Sequence, residues 1–161
     1  PPAPAPTRTQ TQPPTPPPAP ASSKPFPDPA GGEFTLADFH GTHVLENFWA
    51  TWCAPCRKEM PMLSEIQTDF GGDDFEVVTI ATGRNLPPAI DRFFAEIGVE
   101  NLPKYLDPRS ALARDMAVLG LPITLILNPN GQEIARMRGD AEWNGESARA
   151  VLKALLTEAD S

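Results

Sequence analysis

Two cysteines stand three positions apart in "NFWATWCAPCRKEMP", residues 47–61, and they are the only cysteines among 161 residues. The stretch before them, "HVLENFWA", residues 43–50, has the apolar character of a strand. The stretch after them has helical spacing, with Met60, Leu63 and Ile66 on one face and Gly71-Gly72 as the stop. Any fold of this chain must therefore bring both sulfurs to the first turn of one helix, just where a strand ends.

The remaining pattern is an alternation of strands and helices, the arrangement of βαβ units. Phe34–Leu36 reads as a short edge strand, and "FEVVTIAT" as a buried one. Ile90, Phe93, Phe94 and Ile97 share a helical face behind Pro87-Pro88. A short helix is expected near Ser110–Val118. "ITLILNPNGQEIARMRG" reads as a hairpin turning at Pro129-Asn130-Gly131, and a last amphipathic helix spans about Glu146–Glu158. The fold class is α/β.

Residues 1–30 differ in kind, holding thirteen of the chain's 21 prolines and a single large apolar side chain, Phe26. Such a segment cannot bury a core of its own, so 1–30 is expected to be a disordered Pro/Thr-rich linker or stalk and 31–161 the folded domain. The net charge of −8 lies wholly in the second part, because Arg8, Lys24 and Asp28 leave the first part slightly positive. An acidic domain is a poor phosphate binder, and no basic, aromatic-interleaved stripe is present, so nucleic acid is not an expected partner. No stretch reaches the roughly 18 apolar residues of a membrane-spanning helix. The chain starts at Pro1 rather than methionine, so an upstream signal or membrane anchor is expected.

The helix start gives the cysteines their chemistry. Unpaired backbone N–H groups and the partial positive charge there favour a thiolate over a thiol, and Arg57 and Lys58 add cationic charge nearby. Lowering a cysteine from about 8.5 to about 7 makes half of it thiolate at neutral pH, for only about 2 kcal/mol. Cys53 is then the nucleophile. Cys56, one turn on and on the same face, is the resolving thiol, and Pro55 stiffens the link without losing a needed N–H. A static disulfide closing so short a loop would add little stability. Distance argues against a zinc site completed by His40 and His43, since a strand at about 3.3 Å per residue sets them roughly 20 Å or more from the cysteines. No metal and no cofactor is expected.

W-C-x-P-C at such a junction, followed about 65 positions later by "GLPIT", resembles the active-site signature of the thioredoxin superfamily. "FTLADFHG", "FEVVTIATGRN…AIDRFFAEIGVENLPKYLDP" and "GLPITLILNPNGQEIARMRGDAEW" extend the resemblance to its TlpA/ResA-like periplasmic branch over about residues 33–157. The resemblance implies a thioredoxin-like three-layer α/β/α sandwich with a mixed central sheet and the insertion typical of that branch. It also implies that Pro122 is a cis-proline facing the cysteines, with the backbone of Leu121 free to pair with an extended client and Trp52 as an exposed platform. Trp52, Pro55, Leu121 and Pro122 thus form the expected client surface.

Asn47 stands where thioredoxins proper carry a buried aspartate, and an amide cannot accept the resolving thiol's proton. Glu59, three residues after Cys56, resembles the acidic residue of the ResA-like branch and is the expected proton acceptor. Glu46, one residue before Asn47, finds no role in this reading.

Peroxiredoxin chemistry wants a P-x-x-x-T-x-x-C that is missing here, and a Sco-type copper chaperone wants C-x-x-x-C with a downstream histidine. A copper-binding or adaptor protein without turnover would not need both thiols. A DsbA-like oxidant or isomerase is the nearer alternative, but it usually carries a histidine in the dipeptide and a large helical insertion, so a protein-disulfide reductase is favoured. The resemblance implies the bacterial periplasm, tethering to the inner membrane, and electrons from a membrane thiol transporter. It implies cysteine-containing clients such as apocytochrome c or cytochrome oxidase copper-site assembly proteins, and a monomeric state.

Overall fold

The computed structural model of the chain describes residues 1–5 and 20–159, with side chains up to Thr157. A two-residue strand β1 (Phe26–Pro27) pairs antiparallel with β2 (Glu33–Phe34), and a 3-10 turn comes next at Leu36–Phe39. The chain then runs through β3 (His43–Trp49), α1 (Ala54–Phe70), β4 (Phe75–Thr82), α2 (Pro87–Ile97) and β5 (Tyr105–Asp107). It finishes through α3 (Ala111–Asp115), β6 (Ile123–Leu127), β7 (Glu133–Arg138) and α4 (Glu146–Ala159). The main sheet has the order β5-β4-β3-β6-β7. β3, β4 and β5 are parallel, whereas β6 runs antiparallel to β3 and β7 antiparallel to β6, so the sheet is mixed.

Helices cover both faces, which gives the three layers expected. Strand alternation turns Leu45, Asn47 and Trp49 toward one face, where Cys56, Met60, Leu63 and Ile66 of α1, Ile90, Phe93 and Phe94 of α2, and Leu152 of α4 complete one core. Val44, Glu46 and Phe48 turn the other way. There Val44 and Phe48 join Val78, Ile80, Leu125, Leu112 of α3, Leu36 and Phe26 in a second core. Gly98 ends α2 in the left-handed region at φ 68°, a conformation open to glycine without penalty.

Two expectations need correction, and one strand was not expected. The edge strand expected at Phe34–Leu36 ends at Phe34, because the Asp38 carboxylate accepts the Thr35 N–H and winds Leu36–Phe39 into a turn. β5, only three residues long, was too short for periodicity to reveal. The boundary expected at residue 31 lies too late: Phe26 is completely buried, with Tyr105 edge-on at 5.2 Å and Phe34 and Phe39 at 6.4 and 6.5 Å. Ala21 N–H also donates to the Gly131 carbonyl. Composition asks whether a segment can build a core, but one aromatic suffices to join a core built by others. Residues 6–19 of the expected stalk lie outside the described residues.

Candidate active site

β3 is the central strand, and the register Phe48↔Ile123 brings the end of β3 and the start of β6 to the same edge of the domain. Cys53 comes four residues after β3 and is the N-cap of α1; Pro122 immediately precedes β6. The Leu121–Pro122 peptide bond is cis. Among the described residues, neither the N–H nor the carbonyl of Leu121 takes a backbone partner, whereas the Pro122 carbonyl accepts Gly139 N–H.

Cys53 and Cys56 are joined in a disulfide with Cα atoms 5.3 Å apart. Cys53 keeps 7% of its surface in solvent and Cys56 none, so an incoming disulfide can reach only the first sulfur. Pro55 lies in the first turn of α1, where its missing N–H leaves no helical bond unmade. Trp52 is 69% exposed beside the pair. The turn that holds Trp52 is fixed from the segment after β4: Asn85 Oδ1 accepts both the backbone N–H and the hydroxyl of Thr51, while Asn85 Nδ2 donates to the Thr82 carbonyl. Nothing local in the sequence singles out Asn85, 34 residues from Thr51.

Of the two cations expected to help the thiolate, Arg57 is engaged elsewhere. Its guanidinium pairs with Glu96 at 2.6 Å and lies over the Phe93 ring at 4.9 Å. Both partners of that ion pair are about half exposed, so the pair adds little stability, yet it offsets the positive charge near Cys53.

Beneath the cysteines lies Glu59, completely buried one helical turn beyond Cys56. Its Oε1 accepts a hydrogen bond from Asn47 Nδ2 at 2.8 Å; its Oε2 accepts from Trp143 Nε1 at 2.8 Å and from Ala141 N–H at 3.2 Å. Asn47 Nδ2 also donates to Thr124 Oγ1 at 2.9 Å. Burial pushes the Glu59 carboxyl above the usual carboxylate range and outweighs the hydrogen bonds from Trp143, Ala141 and Asn47, which favour its ionised form. Asn47, unable to accept a proton itself, thus donates to the buried carboxyl beneath the cysteines. Trp143 and Thr124 escaped sequence reading because about 80 residues separate each from its partner in this network.

His40 and His43 sit at the opposite end of β3 from the cysteines. Among the described residues no cluster of histidine, cysteine and carboxylate side chains could hold a metal ion.

The chain is similar to several known proteins. The Redoxin family model matches residues 14–155. The thiol-disulfide oxidoreductase ResA of Bacillus subtilis is 33% identical over 112 residues, covering 70% of this chain and 62% of the relative. The thiol:disulfide interchange protein HelX of Rhodobacter capsulatus is 34% identical over 115 residues, again covering 70% and 62%. The chain therefore spans a little under two thirds of the curated relatives it matches. A crystal structure of a thiol:disulfide interchange protein of the thioredoxin family from Chlorobium tepidum superposes with a TM-score of 0.71 at 26% identity, covering 86% of this chain and 97% of that one. With the thioredoxin-like sheet order, the disulfide at the head of α1 and the family match over most of its length, this chain belongs to the Redoxin family.

Proposed function

We propose that the protein is a thiol–disulfide oxidoreductase that reduces disulfides in client proteins. The observation that carries this reading is the vertical arrangement of the site: a reachable Cys53 at the helix head, an unreachable Cys56 one turn below it, and a buried carboxyl, Glu59, one turn below that. ResA and HelX, both named for thiol–disulfide chemistry, support it.

In the reduced protein the Cys53 thiolate attacks one sulfur of a client disulfide. A bond forms from Cys53 to that sulfur, and the client's other sulfur leaves as a thiolate that takes a proton from water. Glu59, ionised at that moment, takes the proton of the Cys56 thiol. The Cys56 thiolate attacks Cys53, the mixed disulfide breaks, and the client's second sulfur leaves reduced. Two electrons have passed to the client, and the protein is left with the Cys53–Cys56 disulfide.

Leu121 and Pro122 present the backbone edge on which an extended client would lie, with Trp52 and Pro55 flanking it. A donor dithiol returns two electrons by the reverse exchange. We assign that donor to a membrane thiol transporter, the compartment to the periplasm with tethering to the inner membrane, and the clients to apocytochrome c or cytochrome oxidase copper-site assembly proteins. Reduction of apocytochrome c by the reduced protein, followed by trapping of a mixed disulfide on Cys53 in a Cys56→Ser variant, tests this. A Cys56→Ser protein that traps no client would contradict it.

A further inference from the structure

Glu46 lies in the middle of β3, on the sheet face opposite Asn47 and Glu59, with no exposed surface. Neither carboxylate oxygen has a hydrogen-bond partner among the described residues. A buried carboxyl in that condition stays neutral unless a cation can reach it. The register supplies one: Glu46 pairs with Leu125 on β6, and Leu125 pairs with Arg136 on β7. The three side chains form one row on one face, which sets Arg136 roughly 10 Å from Glu46 at about 4.8 Å per strand.

Arg136 is occupied. Its Nη1 donates to the Ala117 carbonyl at 3.0 Å and its Nη2 to the Met116 carbonyl at 2.5 Å, while Nε and Nη2 reach Glu133. Those carbonyls end α3, and Ala117 itself lies in the left-handed region at φ 56°, a conformation that a non-glycine residue holds only when its surroundings impose it. At the other end of α3, Asp107 accepts the N–H groups of Leu112 and Ala113. Five residues after Ala117 the chain reaches Pro122. In between is Leu119, 91% exposed.

We propose that Arg136 is a positioning residue for client exchange, holding the loop that carries Pro122 by the carbonyls of Met116 and Ala117, and that Glu46 draws it off those carbonyls once the buried carboxyl gives up its proton. The assignment of Pro122 to the client surface rests on the function proposed above. The charged groups facing Glu46 are few. Glu133 and Arg136 come from β7 and Asp107 from the end of β5; Glu76 of β4 and the exposed Arg138 of β7 share the face further along. On α3, Arg114 and Asp115 are exposed. Burial, then Glu133, hold the Glu46 carboxyl at about 8, Arg136 opposes them, and Asp107 adds a smaller upward push. Below that pH Glu46 is neutral and Arg136 stays on the loop. Above it the carboxylate competes for the guanidinium, and the loop loses its anchor.

Hydrogen exchange of the Met116, Ala117 and Val118 amides, which donate to the Leu112, Arg114 and Ala113 carbonyls, corrected for the intrinsic effect of pH, together with steady-state reduction of a synthetic peptide disulfide, tests this. In Arg136→Met the loop amides are expected to exchange about tenfold faster or more at pH 6, given the two charge-assisted bonds lost. KM for the peptide rises while the glutathione redox potential stays unchanged, and Arg136→Lys recovers part of both effects. The unmodified protein loses loop protection between pH 6 and pH 9, and Glu46→Gln, equal in size, does not. Equal loop exchange in Arg136→Met and the unmodified protein, or an unaltered pH dependence in Glu46→Gln, would overturn the proposal. If the unmodified protein exchanges no disulfide at all, the functional reading falls, and the hydrogen-exchange comparison still decides on the Arg136 anchor.

Discussion

The indole N–H of Trp143 donates to Glu59 Oε2 at 2.8 Å, across 84 positions of sequence. Trp143 lies in the segment between β7 and α4, so the C-terminal part of the fold sets the electrostatics of a carboxyl that α1 places under Cys56. A donor to the ionised form lowers a carboxyl's pKa, and Trp143 is the strongest of the three that oppose burial here.

Trp143→Phe keeps most of the apolar volume and deletes that donor. The Glu59 pKa should rise further, so the pH at which resolution of the mixed disulfide reaches half its maximal rate should move upward. Stopped-flow resolution of a Cys53–glutathione mixed disulfide across pH 5–9 measures it; an unmoved midpoint would separate Trp143 from the proton transfer.

Glu59→Gln removes the base while keeping the size. Resolution near neutral pH should slow by about tenfold or more, in line with the loss of a positioned general base. The amide also turns an N–H toward at least one of the donors it faces, at Asn47 or at Trp143 and Ala141, so stability should fall by about 1–3 kcal/mol. Denaturant unfolding and the kinetic trace report the two effects separately. Unchanged kinetics would reduce Glu59 to a structural group.

Phe26 predicts that the proline-rich start is not wholly dispensable. Phe26→Ala removes a completely buried ring from a cluster with Phe34, Phe39 and Tyr105, a change that costs about 3–5 kcal/mol in well-packed cores. Calorimetry should show a clearly lower melting temperature for this variant and for a chain beginning at Gly31. A melting temperature equal to that of the full chain would mean that β1 adds nothing to the domain.

How far sequence reading reached depended on the range of each interaction. Cys53, Cys56 and Glu59 share one helix, where spacing is a direct measure of geometry, and "FEVVTIAT" matches β4 residue for residue because a long apolar run has few other places to go. The partners of Glu59 come from β3 and the segment after β7, with Thr124 of β6 behind Asn47, and no local pattern ties Thr124 or Trp143 to this network. Phe26 marks the opposite limit, since local composition tells whether a segment can supply its own core, and a single ring can join a core built by others. Glu46 had no sequence account because a lone carboxyl among apolar strand residues gains meaning only from its row, Leu125 and Arg136.

Glu46 also predicts a pH dependence of stability. Its folded pKa of about 8 lies above its ordinary value of 4.5, so the neutral form is what the fold favours. The contribution is fully present below about pH 4.5, declines as pH rises, and is gone above about 8. Glu46→Leu should therefore be more stable than the unmodified protein at pH 8, by about 1–3 kcal/mol, and the difference should shrink toward pH 5. Urea unfolding at both values decides; a difference that grows toward acid would reverse the sign of this dependence.

The reductase assignment meets its most direct test in a glutathione redox titration of the Cys53–Cys56 pair, monitored by tryptophan fluorescence. The helix head favours the Cys53 thiolate, but Arg57, one of the two cations beside it in sequence, is paired with Glu96, which offsets its charge and leaves the thiolate without unusual support. The potential should lie nearer thioredoxin's, about −270 mV, than DsbA's, about −120 mV. At about 30 mV per 1.4 kcal/mol for a two-electron couple, those ends differ by roughly 7 kcal/mol, well beyond experimental error. A value above about −160 mV would contradict the reductase reading and make the protein an oxidant.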